Sequence, residues 1–130
     1  MAKPRVYLET SIVSYLTAAP SRDLVLAAHQ RITQEWWSLR EFFELLVSQV
    51  VLDEAGRGDP IAASHRLAAV KDVAVLELTN EALLLARQLL AAAVMPPKAA
   101  IDAAHVAIAT AHGVQFLLTW NCAHIANATT

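Results

Sequence analysis

Short apolar runs of strand length alternate along the chain with stretches whose apolar residues recur at helical spacing. Residues 5–8, with β-branched Val6 and aromatic Tyr7, predict a first strand. Glu9, Thr10 and Ser11 close it, and Thr10 or Ser11 is placed to cap a helix over 12–16. A loop containing Pro20 leads to residues 22–43, where Leu24, Ala28, Ile32, Trp36, Leu39 and Phe43 predict one long helix. Residues 44–48 predict a second strand, and 49–55 a short helix closed by Gly56 and Gly58. Asp59 followed by Pro60 has the form of an N-cap with proline at the first helical position, for a helix reaching about residue 70. Residues 74–78 predict a third strand, and Thr79 caps a helix over 80–93 that ends before Pro96 and Pro97.

The stretch from 98 to 127 carries the most information. An alanine-rich helix ends near Gly113, an apolar strand follows over 115–119, and Trp120 and Asn121 form a polar tip. The helix shows no polar face, so it is expected to be buried. Asp102 sits within it, and a carboxylate taken out of water must be paired, hydrogen-bonded or metal-bound. His105 lies one turn on, on the same face. Strands alternating with helices predict an α/β fold in which a parallel sheet is covered on both faces. With no repeat or linker, residues 1–130 form a single domain.

Composition narrows the function. The apolar share of 56% excludes general disorder. No apolar run approaches the roughly 18 residues of a membrane helix, and Glu9 stands where a signal peptide would be apolar. One cysteine, Cys122, excludes an internal disulfide and fits the reducing cytoplasm. A net charge of −2 offers no global field for nucleic acid, so such contacts must come from local arginines or bound metal. Three glycines are dispersed and form no phosphate loop, and no nucleophilic triad is present.

Ligands of open parallel sheets bind beyond the carboxyl ends of the strands. Glu9 ends the first strand, Asn121 lies past the fourth, Glu54 is on the helix after the second, and Asp102 is on the helix feeding the fourth. Three acids and one amide, all oxygen donors, suit Mg²⁺ or Mn²⁺.

The segments YLETSIVSYL, VSQVVLDEAGRGD, AAIDAAHVAIA and FLLTWNCAHIAN, in that order, resemble PIN-domain proteins, and most of all VapC-type toxins of toxin–antitoxin pairs. The resemblance implies a small α/β/α sandwich and a metal-dependent ribonuclease with an antitoxin partner. It also implies metal ligands at Glu9, Glu54 and Asp102, a fourth site position at Asn121, and supporting hydroxyls at Thr10, Ser11 and Thr119. Two positions depart from the pattern, since PIN domains usually carry aspartate where Glu9 and Asn121 stand. Asparagine removes a charge, which makes a non-catalytic, protein-binding PIN-like module the alternative. A final helix and strand usual in the family are also expected to be missing, leaving a sheet edge for a partner subunit and favouring a homodimer.

Other residues take structural readings. Asp53 competes with Glu54, but Val50 and Val51 put Glu54 nearer the buried face. His105 is expected to be a hydrogen-bonded core histidine, since imidazole is not a preferred Mg²⁺ ligand. Trp36 and Trp37 pack the long helix or a dimer face, and Arg22, Arg31 and Arg40 form a solvated face. Thr119 bonds within the site or caps the strand, while His124 and Asn127 organise the loop beyond it.

Overall fold

Val6, Tyr7 and Leu8 are buried between two neighbours in the sheet, which makes β1 (Arg5–Leu8) an inner strand. The structure, a computed structural model, describes residues 2–92 and 99–121. β1 is followed by α1 (Thr10–Thr17), α2 (Leu24–Trp37), a 3₁₀ turn (Arg40–Phe42) and β2 (Glu44–Ser48). Then come α3 (Gln49–Ala55), α4 (Pro60–Ala69), β3 (Ala74–Leu76), α5 (Asn80–Ala91), α6 (Ala100–Ala111) and β4 (Phe116–Leu118). All pairings are parallel, in the order β3-β2-β1-β4.

The first two crossovers step from β1 to β2 to β3, and the third returns to the far side of β1. Right-handed crossovers that run in opposite directions put their helices on opposite faces. The packing agrees: α1 touches α2, α3 and α4, while α5 packs along α6. The result is a three-layer α/β/α sandwich. One core cluster joins β1 and β2 to Ile12, Val13, Val51 and Ile108, and a second joins Ala86 of α5 to Ala99, Ala103 and Ala107. Alanines there let the two helices approach closely.

Several predicted boundaries are corrected. The long helix does not run from 22 to 43: the Asp23 carboxylate accepts the Val25 and Leu26 amides, so α2 starts at Leu24. It ends at Trp37, and the chain turns so that Phe43 stacks on Trp36 with ring centroids 5.4 Å apart before entering β2. α1 starts at Thr10 after Glu9 as N-cap, and neither Thr10 nor Ser11 caps it, because both hydroxyls serve carboxylates instead. β3 stops at Leu76 because its partner there, Ser48, turns away to cap α3. β4 likewise ends opposite Leu8, the last residue of β1. α5 ends at Ala91, short of 93.

α6 is not buried all round. Ala103, His105, Ala107, Ile108 and Ala109 are interior, whereas Ile101 is 40% exposed and Asp102 is half-buried. Arg31 pairs with the exposed Glu35, and Arg40 lies over the Trp37 ring and bonds the Trp37 carbonyl, so these arginines have local partners on the surface. Trp36 and Trp37 pack against the core cluster. Lys98, Cys122, His124 and Asn127 lie outside the described residues.

Candidate functional site

The sheet reverses its direction of growth between β1 and β4, and the carboxyl ends of these two strands form the floor of the site. The Glu9 amide bonds the Leu118 carbonyl at 3.1 Å, extending the ladder one step and fixing the Glu9 backbone. The Glu9 side chain is buried, and its Oε1 accepts the hydroxyls of Ser11 and, at 2.7 Å, of Thr119. Ser11 Oγ also accepts the Trp120 amide at 2.8 Å, and Thr119 Oγ1 accepts the Asn121 amide at 2.8 Å. Two hydroxyls thus tie Glu9 to the segment leaving β4.

Glu54 arrives from α3. Ser48 caps that helix by accepting the Val51 amide, and Val51 and Ala55 are buried, so Glu54 is turned toward the sheet. Asp53 is exposed on the other face and accepts from Gln49. Glu54 Oε1 accepts Thr10 Oγ1 at 2.5 Å and His105 Nε2 at 2.6 Å. Burial raises the Glu54 pKa, but the bonds from His105 and Thr10, helped by the electrostatic pull of His105 and then of Arg57, outweigh it and hold the group below its ordinary 4.5. Among the described residues, every hydrogen bond to these two carboxylates ends on Oε1.

Ligand atoms of Glu9, Glu54 and His105 lie within 4.8 Å of one another. Two carboxylates so close repel unless a positive charge intervenes, and their oxygen donors fit a divalent cation. Asp102 lies outside that triplet, half-buried on the first turn of α6 and one turn before His105. Asn121 is half-buried just past β4, held through its amide by Thr119.

Of the residues singled out from sequence, Glu9 with Ser11 and Thr119, and Glu54 with Thr10, form two hydrogen-bonded groups side by side, with Asn121 attached to the first through Thr119. His105 is the buried, hydrogen-bonded histidine expected, but its partner is Glu54. Tyr7 and Ser48 were read from the sequence only as strand residues, yet they stand behind His105: Tyr7 Oη is 2.6 Å from Nδ1 and 2.7 Å from Ser48 Oγ. The available signal was a phenol on an interior strand, two residues before Glu9.

No family model matches the chain, and no curated protein matches it in sequence. Among solved structures it is similar to Mycobacterium tuberculosis VapC20, a sarcin–ricin loop cleaving toxin, with a TM-score of 0.65 and 20% identity over 91% of each chain. At that identity the likeness establishes architecture: this chain has the PIN-type α/β/α fold of a VapC toxin.

Proposed function

We propose that the protein is a metal-dependent ribonuclease, the toxin of a VapC-type toxin–antitoxin pair acting in the cytoplasm. The observation that carries this reading is the approach of the Glu9 and Glu54 carboxylates, with His105 beside them, to within 4.8 Å at the β1–β4 switch point. The fold shared with a toxin that cleaves the sarcin–ricin loop supports RNA as the substrate class.

Glu9 and Glu54 would hold Mg²⁺ or Mn²⁺, with Asp102 as a third carboxylate from α6 and Asn121 at the rim. When bound, such an ion makes a water acidic enough to give hydroxide near neutral pH and offsets charge on phosphate oxygens. The chain's own residues orient the ligands. Ser11 and Thr119 hold Glu9, and Thr10 and His105 hold Glu54. Asn121 offers an amide where the resemblance expects a charge, so it serves through hydrogen bonding.

The test is RNA cleavage with Mn²⁺ and with EDTA, alongside Asp102→Asn. Metal-dependent cleavage, lost in that variant, is expected. The second reading, a PIN-like module that binds protein without cutting, is favoured by Asn121. It replaces the first if calorimetry finds no saturable Mn²⁺ site and RNA stays intact. The antitoxin is expected to be encoded beside this gene and to co-purify with the protein. Capture of no such partner, with cleavage intact, would leave a nuclease without a toxin role.

A further inference from the structure

Tyr7, Ser48 and His105 each have 0% exposure and come from three different elements: β1, the end of β2, and α6. Three polar side chains in the interior are costly unless each is satisfied, and here they satisfy one another in a line. Ser48 Oγ accepts the Val51 amide at 3.3 Å, so its own proton is available to Tyr7 Oη at 2.7 Å. Tyr7 in turn reaches His105 Nδ1 at 2.6 Å, with the rings edge to face at 5.8 Å. His105 Nε2 ends the line 2.6 Å from Glu54 Oε1.

Donor and acceptor capacity decides where the protons sit. A carboxylate only accepts, so Nε2 must donate to Glu54. A neutral imidazole then has a bare Nδ1, which accepts from the Tyr7 hydroxyl, and Tyr7 Oη accepts from Ser48. The carboxylate fixes the Glu54 end, and a neutral imidazole then sets the direction of the rest of the line. Both imidazole nitrogens are thereby engaged: the Nε2 proton goes to Glu54 and the single lone pair, on Nδ1, to Tyr7.

We infer that Ser48, Tyr7 and His105 are a buried relay that orients Glu54 for a divalent cation. His105 is a positioning residue outside the ligand set, although its nitrogen lies within 4.8 Å of the carboxylate oxygens. This deepens the proposed function and rests on it. The cation then meets oxygen ligands only, which suits Mg²⁺ or Mn²⁺ over metals that favour imidazole. Without Tyr7, Nδ1 would be buried with no partner, and the imidazole would lose its single tautomer and its grip on Glu54.

Two measurements test the relay. Nitrogen-15 NMR of the metal-free protein is expected to show His105 as the Nε2–H tautomer, and an Nδ1–H tautomer overturns the relay. Calorimetry with Mn²⁺ is expected to show Tyr7→Phe weakening binding by about tenfold or more, the usual loss when an outer partner of a ligand is removed. In a His105→Gln background, where the amide serves Glu54 without help from Tyr7, the same change should alter affinity by less than about twofold, because the two residues act in series. An equal loss in both backgrounds, which a merely structural role produces, overturns the relay, as does parent-like affinity in Tyr7→Phe. A parent that binds no Mn²⁺ overturns both the relay and the metal-dependent nuclease. Should Tyr7→Phe fail to fold, the tautomer of the parent decides.

Discussion

At the residue scale, Glu9 and Glu54 bring two negative charges to within 4.8 Å. Between bulk-water and near-surface screening, their repulsion is about 1–3 kcal/mol. Glu9→Gln keeps an oxygen for Ser11 and Thr119 and removes that repulsion. The metal-free variant should therefore melt at a higher temperature than the parent in EDTA and gain far less from Mn²⁺. Calorimetric melts with both additions check this, and a variant that melts lower in EDTA would mean that Glu9 is paired with a cation of the chain itself. Glu54 has its pKa held below 4.5 in the folded state. It therefore contributes stability that is present above the unfolded pKa and is lost as pH falls through the folded value. Glu54→Gln should flatten the acid limb of the stability–pH curve, as urea titrations at several pH values would show. For Tyr7 the sign reverses. Burial is the main cause that raises its pKa above 10.0, the Ser48 bond offsets part of this, and the charges of Glu9 and Glu54 add to it. Its contribution is full below pH 10 and is lost as pH climbs toward the folded value. Tyr7→Phe should remove that alkaline loss.

At the element scale, Trp120 fastens α2 to the site. Its ring stacks on His29 with centroids 4.0 Å apart and meets Tyr15 edge-on, and its Nε1–H donates to Thr33 Oγ1 at 2.8 Å. Its backbone amide donates to Ser11, which in turn donates to Glu9. Trp120→Ala should destabilise the protein by about 2–3 kcal/mol, less than for a fully buried tryptophan because the residue is only partly buried. Trp120→Phe keeps the stacking and should lose only about 1 kcal/mol with the hydrogen bond. Urea unfolding of the two variants separates stacking from hydrogen bonding, and equal losses would assign the whole effect to the Nε1–H bond. The same element explains a misread boundary. Periodicity carried the helix from 22 to 43 because Leu39 and Phe43 continue the pattern, but Phe43 reaches Trp36 only after the chain has turned back through the 3₁₀ segment.

At the scale of the whole molecule, β3 and β4 are the outer strands among the described residues, and large apolar residues are exposed: Leu24 at 87% and Phe116 at 58%. Among the described residues no helix is long and apolar enough to cross a membrane. Where such residues form a contiguous patch, a partner commonly covers it. We expect a homodimer of the 14.1 kDa chain, with Phe116→Glu shifting it toward monomer. Sedimentation of the parent as a clean monomer at micromolar concentration would end that expectation. A cation that binds only the folded chain should stabilise it by about 3 kcal/mol at a hundredfold excess over its Kd. The melting temperature should then rise by roughly 10 °C for a domain of this size. A parent whose melt ignores both Mn²⁺ and EDTA would count against a metal centre.

Local pattern sufficed for four strands in order, for the parallel sheet, and for the acids at strand ends, because alternation and helical spacing record which face of each element leaves water. It also placed Glu54 rather than Asp53 toward the interior, since Val50 and Val51 mark that face. Beyond this, packing decided. Tyr7 and Ser48 are 41 positions apart, and Tyr7 and His105 are 98 apart. Periodicity says that each of these residues is buried but not which other buried group it meets. Only the strand order, with β1 between β2 and β4, brings the phenol, the hydroxyl and the imidazole into one line behind Glu54. Asp102 was legible as an acid in an apolar helix, yet its half-exposure follows from the face of α6 that α5 and the sheet leave uncovered, a property of neighbours that no single segment encodes.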